Sequence, residues 1–152
     1  MKKEKFEYYE NGEMRKRTDS DGTVIEYHEN GERKKETHSD GLVLEYYENG
    51  KMRRRTDSDG TVIEYYENGE RKKETHSDGT VEERHKNGQT RKVTYPDGYV
   101  WEYYENGKMR KETYPSGSVR EYSMNGVRKK DTQSNGTVIE YNEKGELQEQ
   151  KV

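Results

Sequence analysis

The chain has 152 residues and a formal net charge of −3 at pH 7, and 24% of its residues are hydrophobic whereas 40% are charged. This composition cannot fill a conventional core, and the even spread of 29 basic and 32 acidic side chains excludes a general attraction to nucleic acid or membranes. The absence of cysteine excludes disulfides and cysteine-ligated zinc.

The sequence has no secretion signal at its start, because Met1 to Lys3 are followed directly by a polar segment rather than by an apolar run. No later apolar run approaches the length of a membrane span. We therefore expect a cytoplasmic protein. The 14 tyrosines and a regular column of β-branched residues favour strands over disorder.

Glycines divide the chain into regular segments. Two sets of glycines recur at one constant spacing without an insertion, and a fixed period indicates a repeat architecture. The first set is Gly12, Gly31, Gly50, Gly69, Gly88, Gly107, Gly126 and Gly145. The second set is Gly22, Gly41, Gly60, Gly79, Gly98, Gly117 and Gly136. The short segments between them are rich in tyrosine, valine and threonine and predict strands.

The two sets of glycines predict two kinds of turn. Asn-Gly pairs such as Asn11-Gly12 predict two-residue type I′ hairpins. Triplets such as Pro96-Asp97-Gly98 predict three-residue loops with a type I turn and a left-handed glycine. One two-residue loop and one three-residue loop per repeat shift the strand pairing by 19 residues, which is the spacing of the glycines. Equivalent side chains of every repeat therefore point to the same face of the sheet.

We therefore predict an all-β fold, an open single-layer antiparallel β-meander of about 16 strands, built from a 19-residue two-strand repeat without a conventional core. Side-chain pairs across the strands take over the stabilising role of a core. Residues 1–152 form a single repeat domain in this prediction. Residues 13–50 and 51–88 are near-identical copies, and residues 89–145 are more divergent and more aromatic.

The predicted pairing sorts the side chains into rows on two faces. The charged face carries a row of alternating acids and bases that begins Glu7, Lys16, Glu26, and a row of alternating threonine and valine. The aromatic face carries a row in which tyrosine alternates with a cation, namely Tyr8, Arg15, Tyr27, Lys34, Tyr46, Arg53, Tyr65, Lys72, Arg84, Arg91, Tyr103, Arg110, Tyr122, Lys129 and Tyr141. Its second row alternates apolar and charged residues, namely Phe6, Arg17, Ile25, Glu36, Leu44, Arg55, Ile63, Glu74, Glu82, Val93, Trp101, Glu112, Arg120, Asp131 and Ile139.

The histidines His28, His38, His76 and His85 are the candidate metal ligands. The predicted pairing brings no suitable second ligand to His38 or His76, so we expect no metal site. Paired carboxylates act in acid–base catalysis where a pocket perturbs their pKa, and a single-layer sheet offers no such concavity. We therefore expect neither enzyme activity nor a cofactor.

Aromatic residues concentrate in one part of the aromatic face. Tryptophan and tyrosine beside arginine are typical of binding hot spots, and an aromatic groove suits a proline-rich segment of a partner protein. A simpler interpretation is that these rings only cover a sheet that has no core. The candidate peptide-binding residues are Arg91, Val93, Tyr95, Tyr99, Trp101, Tyr103, Arg110 and Tyr114.

The run from Tyr95-Pro96-Asp97-Gly98 through Asn106-Gly107 to Tyr114-Pro115-Ser116-Gly117 resembles the G-box repeats of the T-complex and CPAP family of centriole scaffolds. Those repeats alternate an aromatic-Pro-Asp-Gly turn with an Asn-Gly turn. The pattern covers residues 8–145, and residues 94–117 carry its proline form. The resemblance implies a free-standing sheet, a proline-rich partner segment, end-to-end joining and a centrosomal location.

Two other families share parts of the pattern. Residues 103–108 are similar to the bacterial MORN-variant repeat, and residues 56–61 are similar to the YD/RHS shell repeats. A MORN-variant module in toxin–antitoxin or surface systems is therefore an alternative function. Uniform rows are also what a repeat protein designed or selected only for its fold would show, and that alternative predicts no ligand.

The two outermost strands, near residues 3–10 and 146–152, leave backbone groups unpaired in the predicted sheet. Such edges are templates for end-to-end self-association. The charged side chains on these strands are of the kind that opposes joining, so we expect the isolated chain to be monomeric. These side chains are Lys3, Lys5, Glu146, Glu149 and Lys151.

Overall fold

The computed structural model describes residues 3–152, and the chain divides into two compact units, Met1–Ser77 and Asp78–Val152. The described residues form sixteen β-strands and no helix, and hence no helix that could cross a membrane. The first unit contains β1 (Lys5–Tyr8), β2 (Met14–Thr18), β3 (Val24–Tyr27), β4 (Arg33–Thr37), β5 (Val43–Tyr46), β6 (Met52–Thr56), β7 (Val62–Tyr65) and β8 (Arg71–Thr75). The second contains β9 (Val81–Arg84), β10 (Thr90–Thr94), β11 (Val100–Tyr103), β12 (Met109–Thr113), β13 (Val119–Tyr122), β14 (Arg128–Thr132), β15 (Val138–Tyr141) and β16 (Leu147–Lys151).

Within each unit, every strand pairs antiparallel with the strand that follows it in the chain. In each unit, the sheet order of the strands is their order in the chain. This meander confirms the all-β, single-layer fold predicted from the sequence. Ile25, Ile63 and Val93 are the buried apolar side chains of the described residues, so the sheet has no conventional core.

The predicted rows of the charged face are present in both units. Lys16 of β2 pairs with Glu7 on one side and Glu26 on the other. Lys111 of β12 lies between two glutamates in the same way, and valine faces threonine along the neighbouring row. Each favourable cross-strand pair contributes about 0.2–1 kcal/mol, so the stability of the sheet is the sum of many small terms.

The Asn-Gly turns differ from the prediction. The amide of Gly12 donates to the carbonyl oxygen of Tyr9 at 3.0 Å, and the amide of Tyr9 donates to that of Glu13 at 2.8 Å. Among the described residues only glycines have a positive φ, whereas a type I′ turn needs positive φ at both central residues. The predicted two-residue type I′ loops were therefore wrong, and these turns are three-residue loops built on a type I turn.

The side chain of asparagine explains this turn geometry. Oδ1 of Asn11 accepts a hydrogen bond from the amide of Glu13 at 3.0 Å, as Oδ1 of Asp21 accepts one from Thr23 at 2.8 Å. Each side chain thus accepts a hydrogen bond from the backbone amide two residues later in the chain, and this bond stabilises the same turn conformation in both cases. Asn-Gly and Asp-Gly therefore form one kind of turn in this chain.

A β-bulge in every second hairpin restores the odd period of the repeat. Glu7 pairs with Lys16 but Tyr8 pairs with Met14, which leaves Arg15 as the extra residue. Two loops of equal length would shift the pairing by an even number of residues, and the extra residue makes the shift odd. The same bulge recurs at Lys34, Arg53, Lys72, Arg91, Arg110, Lys129 and Gln148.

The bulges also correct the predicted row of tyrosines and cations. Tyr27 pairs with Arg33 rather than Lys34. The bulge residues Arg15 and Lys34 line a small cavity together with Glu7 and other residues of the charged face. The bulge cations of that predicted row therefore lie towards the charged face, because the extra residue reverses the alternation at this point. Arg84 is not a bulge residue and forms an ion pair with Glu82 of the aromatic face.

Equivalent turns stack on one another along both edges of the sheet. Nδ2 of Asn30 donates to the carbonyl oxygen of Glu48 at 3.0 Å, so one Asn-Gly turn is bonded to the next. At the other edge, a Cβ atom on Gly98 would lie 3.6 Å from Cβ of Pro115, which is ordinary van der Waals contact. At these positions, one repeat contacts the following repeat through its turns as well as along its strands.

The turn geometry predicts where proline is tolerated. Glu48 occupies the position that Pro96 occupies in its own turn, where φ is near that of proline. We expect Glu48→Pro to raise the free energy of unfolding by about 0.4–1 kcal/mol, because it restricts only the unfolded chain. Chemical denaturation measures the change. A type I′ turn would place Glu48 in the strand, and Glu48→Pro would then lower stability.

The matched control is Asn49→Pro, at the next position of the same turn. Proline is disfavoured there in a type I turn, and the substitution also removes the side chain that accepts the hydrogen bond from Lys51. We expect this variant to be less stable than the unmodified chain. Equal stability of the two proline variants would contradict the turn assignment.

Candidate functional site

The aromatic candidates lie in β10, β11, β12 and the adjoining turns of the second unit. Trp101 of β11 pairs with Val93 of β10 on one side and with Glu112 of β12 on the other. Paired side chains on one face of a sheet are neighbours, so these three residues form a strip on the aromatic face. Val93 is buried, with 7% of its surface exposed, and Trp101 is half-buried.

Two edge-to-face ring pairs surround this strip. Tyr95 contacts Trp101 with ring centroids 5.0 Å apart and an interplanar angle of 71°. Tyr99 contacts Tyr114 with centroids 5.7 Å apart at the same angle of 71°. Contacts of this geometry contribute about 0.5–1.5 kcal/mol each beyond area burial. The structure thus brings four of the candidate aromatic rings together in two oriented pairs.

Tyr103 lies beside the strip and lines a shallow cavity with Val93, Glu82 and Gln89. The cavity has a volume of about 260 Å³. Burial raises the pKa of Tyr103, and the neighbouring Tyr95 adds to that effect. Tyr103 is therefore a protonated phenol throughout the neutral range, able to donate a hydrogen bond.

Glu112 connects the strip to the next strands. Its Oε2 accepts hydrogen bonds from the hydroxyl of Tyr122 at 2.8 Å and from that of Tyr114 at 3.1 Å. Arg120 donates from Nη1 to the hydroxyl oxygen of Tyr114 at 2.9 Å, and its guanidinium lies 5.2 Å from the centroid of that ring. The carboxylate next to Trp101 is therefore satisfied within the protein.

A carboxylate in the first unit is likewise hydrogen-bonded by tyrosine. Glu36 is 5% exposed and accepts hydrogen bonds from the hydroxyl of Tyr46 at 2.8 Å and from Nη1 of Arg33 at 2.7 Å. Burial alone would raise the pKa of Glu36, but these hydrogen bonds and the charge of Arg33 outweigh it and lower the pKa. Glu36 is thus a structural anion rather than a proton donor.

The two candidate arginines lie apart from the ring pairs. Arg91 is a bulge residue that forms an ion pair with Glu83, an acid in the row of the charged face. Arg110 occupies the equivalent bulge between β11 and β12 and is exposed. The positive charge that adjoins the rings is that of Arg120, which was not among the candidates.

The histidines His38 and His76 each lie near a glutamate of the preceding strand. Nε2 of His38 lies 3.6 Å from Oε2 of Glu36, and Nδ1 of His76 lies 3.8 Å from Oε1 of Glu74. Within residues 3–152, the structure contains no group of three histidine, aspartate or glutamate side chains placed to hold a metal ion.

A row of hydroxyl donors on the charged face was not predicted. The hydroxyl of Tyr9 donates to the carbonyl oxygen of Tyr27 at 2.6 Å, and the hydroxyl of Tyr104 donates to that of Tyr122 at 2.8 Å. The hydroxyl row, named for its tyrosines, consists of one side chain per repeat, namely Tyr9, His28, Tyr47, Tyr66, His85 and Tyr104, followed by Ser123. Nε2 of His85 lies 3.0 Å from the carbonyl oxygen of Tyr103, whereas Nε2 of His28 has no hydrogen-bond partner among the described residues. Its signal in the sequence is a column of tyrosine and histidine that recurs once in every repeat.

Tyr122 makes the fold sensitive to alkaline pH. Burial and the hydrogen bond to Glu112 raise the pKa of Tyr122 from 10.0 to about 12. A tyrosine whose pKa is higher in the folded than in the unfolded chain stabilises the fold while it is protonated. Its contribution is therefore complete below pH 10 and is lost as the pH rises towards 12.

We expect Tyr122→Phe to lower the thermal midpoint at neutral pH and to flatten its decline between about pH 10 and pH 12. Calorimetry across this range measures both effects. Tyr27→Phe is the matched control at the equivalent position, since its hydroxyl bonds to no other residue that the structure describes. An unchanged alkaline slope in Tyr122→Phe would show that the bond to Glu112 is not the cause.

One family model matches the chain. Its description is MORN repeat variant, and it matches residues 20–40, 39–56, 58–78 and 96–114, which together make just over half of the chain. The similarity to MORN-variant repeats noted in the sequence is therefore confirmed. No curated protein matches the sequence.

Several solved structures resemble the chain over most of its length. The G-box domain of the microcephaly protein CPAP has 21% identity and a TM-score of 0.46, with 99% of both chains covered. The TCP10c domain of Drosophila melanogaster Sas-4 has 25% identity and a TM-score of 0.42, with 89% of both chains covered. The TCP10 domain of Danio rerio CPAP, solved with a peptide of Danio rerio STIL, has 19% identity and a TM-score of 0.26, covering 98% of this chain and 99% of that one.

These solved structures confirm the resemblance to G-box domains that the turns of the sequence predicted. Their TM-scores are all below 0.5. The likeness therefore carries no argument about what this chain binds.

Proposed function

We propose that this chain, which belongs to the MORN repeat variant family, is a non-enzymatic interaction scaffold that binds a proline-rich peptide on its aromatic face. The observation that carries the proposal is the two edge-to-face ring pairs, Tyr95 with Trp101 and Tyr99 with Tyr114. All four rings are half-buried on a single-layer sheet. They therefore offer ordered apolar surface that no second layer of the fold covers.

Ordered rings suit a ligand that is already extended. Proline-rich segments hold the polyproline II conformation before binding, so they lose little entropy on a rigid aromatic surface. The ring pairs also keep their own orientation through mutual contacts, which lowers the cost of ordering them on binding. Val93 and Tyr103 extend the apolar strip on one side of Trp101.

The charges near the rings are engaged with one another. Glu112 accepts hydrogen bonds from Tyr114 and Tyr122, and Arg120 donates to the hydroxyl of Tyr114. The candidate arginines Arg91 and Arg110 lie at bulges rather than beside the rings. The ligand is therefore recognised through its proline rings and its backbone more than through its charge.

Trp101 is the single tryptophan of the sequence, so its fluorescence reports directly on this surface. We expect a ten-residue polyproline peptide to change that fluorescence saturably. A peptide of the same length built from glycine and serine should have no such effect, because it lacks rings and is flexible. Absence of a saturable change with polyproline would contradict the proposed function.

Replacing site residues by those at equivalent positions of other repeats tests the site with side chains that the fold already accommodates. Leu44 occupies the position of Trp101 in another repeat, and Thr61 occupies that of Tyr99. We expect Trp101→Leu with Tyr99→Thr to fold and to lose at least tenfold in affinity, measured by calorimetric titration. Tyr104→His on the charged face is the control, since His85 is its equivalent, and it should bind normally. Normal binding by the double variant would refute the site.

The outer edges of β1 and β16 carry like charges in equivalent positions. Glu149 pairs with Glu140 in the charge row, and Lys151 pairs with Val138 in the row beside it. If β16 met β1 of a second copy in the same register, Glu149 would face Glu7 and Lys151 would face Lys5. Like charges directly opposite are destabilising. We propose that this repulsion keeps the 152-residue chain monomeric.

Exchanging two charges tests this proposal at constant composition. Glu149→Lys combined with Lys151→Glu would place opposite charges across the same junction. We expect the unmodified chain to show a monomer mass at all concentrations in light scattering, and the exchanged variant to associate as its concentration rises. A concentration-dependent mass for the unmodified chain would contradict the proposal.

A further inference from the structure

The hydroxyl row of the charged face ends at Ser123. Ser123 holds the same hairpin position as Tyr47, because its amide donates to the carbonyl oxygen of Val127 at 2.9 Å as that of Tyr47 donates to Lys51 at 2.8 Å. The hydroxyl of Ser123 also donates to the carbonyl oxygen of Val127, at 3.0 Å. The backbone of the repeat is thus retained, and only the ring is missing.

A hollow opens where the ring is missing. In the first unit, where Tyr9 and Tyr47 occupy the position, the cavities beside them measure about 180 Å³ and 190 Å³. Around Ser123 the cavity measures about 1000 Å³, and it is lined by side chains that include Tyr104 and Lys129. The larger volume therefore coincides with the first position of the row that carries no ring, Ser123, and with Asn142 at the next equivalent position.

A hydrogen-bond acceptor lies at the wall of this hollow. The hydroxyl of Tyr47 donates to the carbonyl oxygen of Tyr65 at 2.7 Å, and the hydroxyl of Tyr104 donates to that of Tyr122 at 2.8 Å. Tyr141 is the equivalent residue beside Ser123 and lines the hollow. Among the side chains that the structure describes, none donates to the carbonyl oxygen of Tyr141.

A lysine beside the hollow is positioned to make a cation–π contact with an aromatic ring bound there. Lys72 is a bulge residue, and its Nζ lies 5.9 Å from the centroid of the Tyr66 ring in the hydroxyl row. Lys129 is the equivalent bulge residue next to Ser123, it is exposed, and it lines the hollow. A ring bound there would gain the same cation–π contact.

We infer that the hollow around Ser123 binds a tyrosine side chain presented by a partner protein. The phenolic hydroxyl donates to the carbonyl oxygen of Tyr141, the ring fills the space of the missing row member, and Lys129 covers it. The ligand thus replaces the side chain that the preceding repeats supply from within. This site lies on the charged face and is independent of the proline-rich peptide on the aromatic face.

The tyrosine side chain is represented by p-cresol. We expect a titration of the whole chain with p-cresol to produce saturable amide shifts in ¹H–¹⁵N spectra at Gly126, Lys129 and Tyr141. Toluene lacks the hydroxyl, and the loss of one hydrogen bond should weaken its binding by about fivefold. Equal or tighter binding of toluene would overturn the role of the Tyr141 carbonyl, and tighter binding of p-cresyl phosphate would overturn the preference for a neutral phenol.

Two opposite substitutions test the position of the site. Ser123→Tyr restores the row and should abolish the p-cresol shifts around Tyr141 while it raises the thermal midpoint. Tyr47→Ser creates the same vacancy in the first unit and should add saturable shifts at Gly50 and Tyr65. Each variant is judged separately, so a failure of one to fold leaves the other decisive.

The inference is overturned if the unmodified chain shows no saturable shifts, or if Ser123→Tyr binds p-cresol as the unmodified chain does. The aromatic face provides an internal control in both experiments. Polyproline titrations of Ser123→Tyr should be unchanged, because the rings of Trp101 and Tyr99 lie on the other face. Loss of polyproline binding alone would therefore reject the proposed function and leave this site intact.

Discussion

Contact between neighbouring strands is the interaction on which this structure depends. A strand in a sandwich or barrel packs against a second layer, whereas the strands of this chain have only the strand on either side. The opposite charges of Lys16 with Glu7 and Glu26 show how the charged face uses those contacts. Stability in such an array accumulates repeat by repeat, so it does not require the apolar residues that the composition lacks.

The two faces stabilise the sheet by different means. On the aromatic face, Glu36 is buried and accepts hydrogen bonds from Arg33 of its own strand and Tyr46 of the adjacent strand. On the charged face, the hydroxyls of Tyr9, Tyr47 and Tyr104 each donate to a backbone carbonyl of the following repeat. Both devices use tyrosine as a flat side chain with one polar end. The proposed binding sites arise where this pattern changes, at Trp101 on one face and at Ser123 on the other.

The strand positions and the rows of the charged face could be predicted because both follow from a strict period and from alternation of side chains. The candidate ring pairs at Tyr95 and Trp101 were also visible, since alternation alone places them on one face. The bulge at Arg15 was not, because a shorter loop and an added strand residue give the same odd shift between repeats. The error mattered for Arg91, which the bulge turns towards Glu83.

The hollow at Ser123 could not be predicted from residue types, because a serine at a surface position is ordinary in any sequence. Its meaning depends on the hydroxyl of Tyr104 reaching the carbonyl of Tyr122, a contact that only the structure reveals. The column of tyrosine and histidine was present in the sequence. Without the bonds that it makes, a break in that column had no physical interpretation.

The bulge has a consequence for how such a chain can change in length. Adding or removing one complete repeat leaves every remaining side chain on its own face, because each repeat carries its own correction of parity. Loss of a single bulge residue such as Arg15 would leave Met14 and Lys16 as consecutive residues opposite Tyr8 and Glu7, so the bulge would disappear and every later strand would keep its faces. Evolution or engineering can therefore lengthen this sheet in whole repeats, and the bulge is a position where one residue can be lost without moving later side chains to the other face.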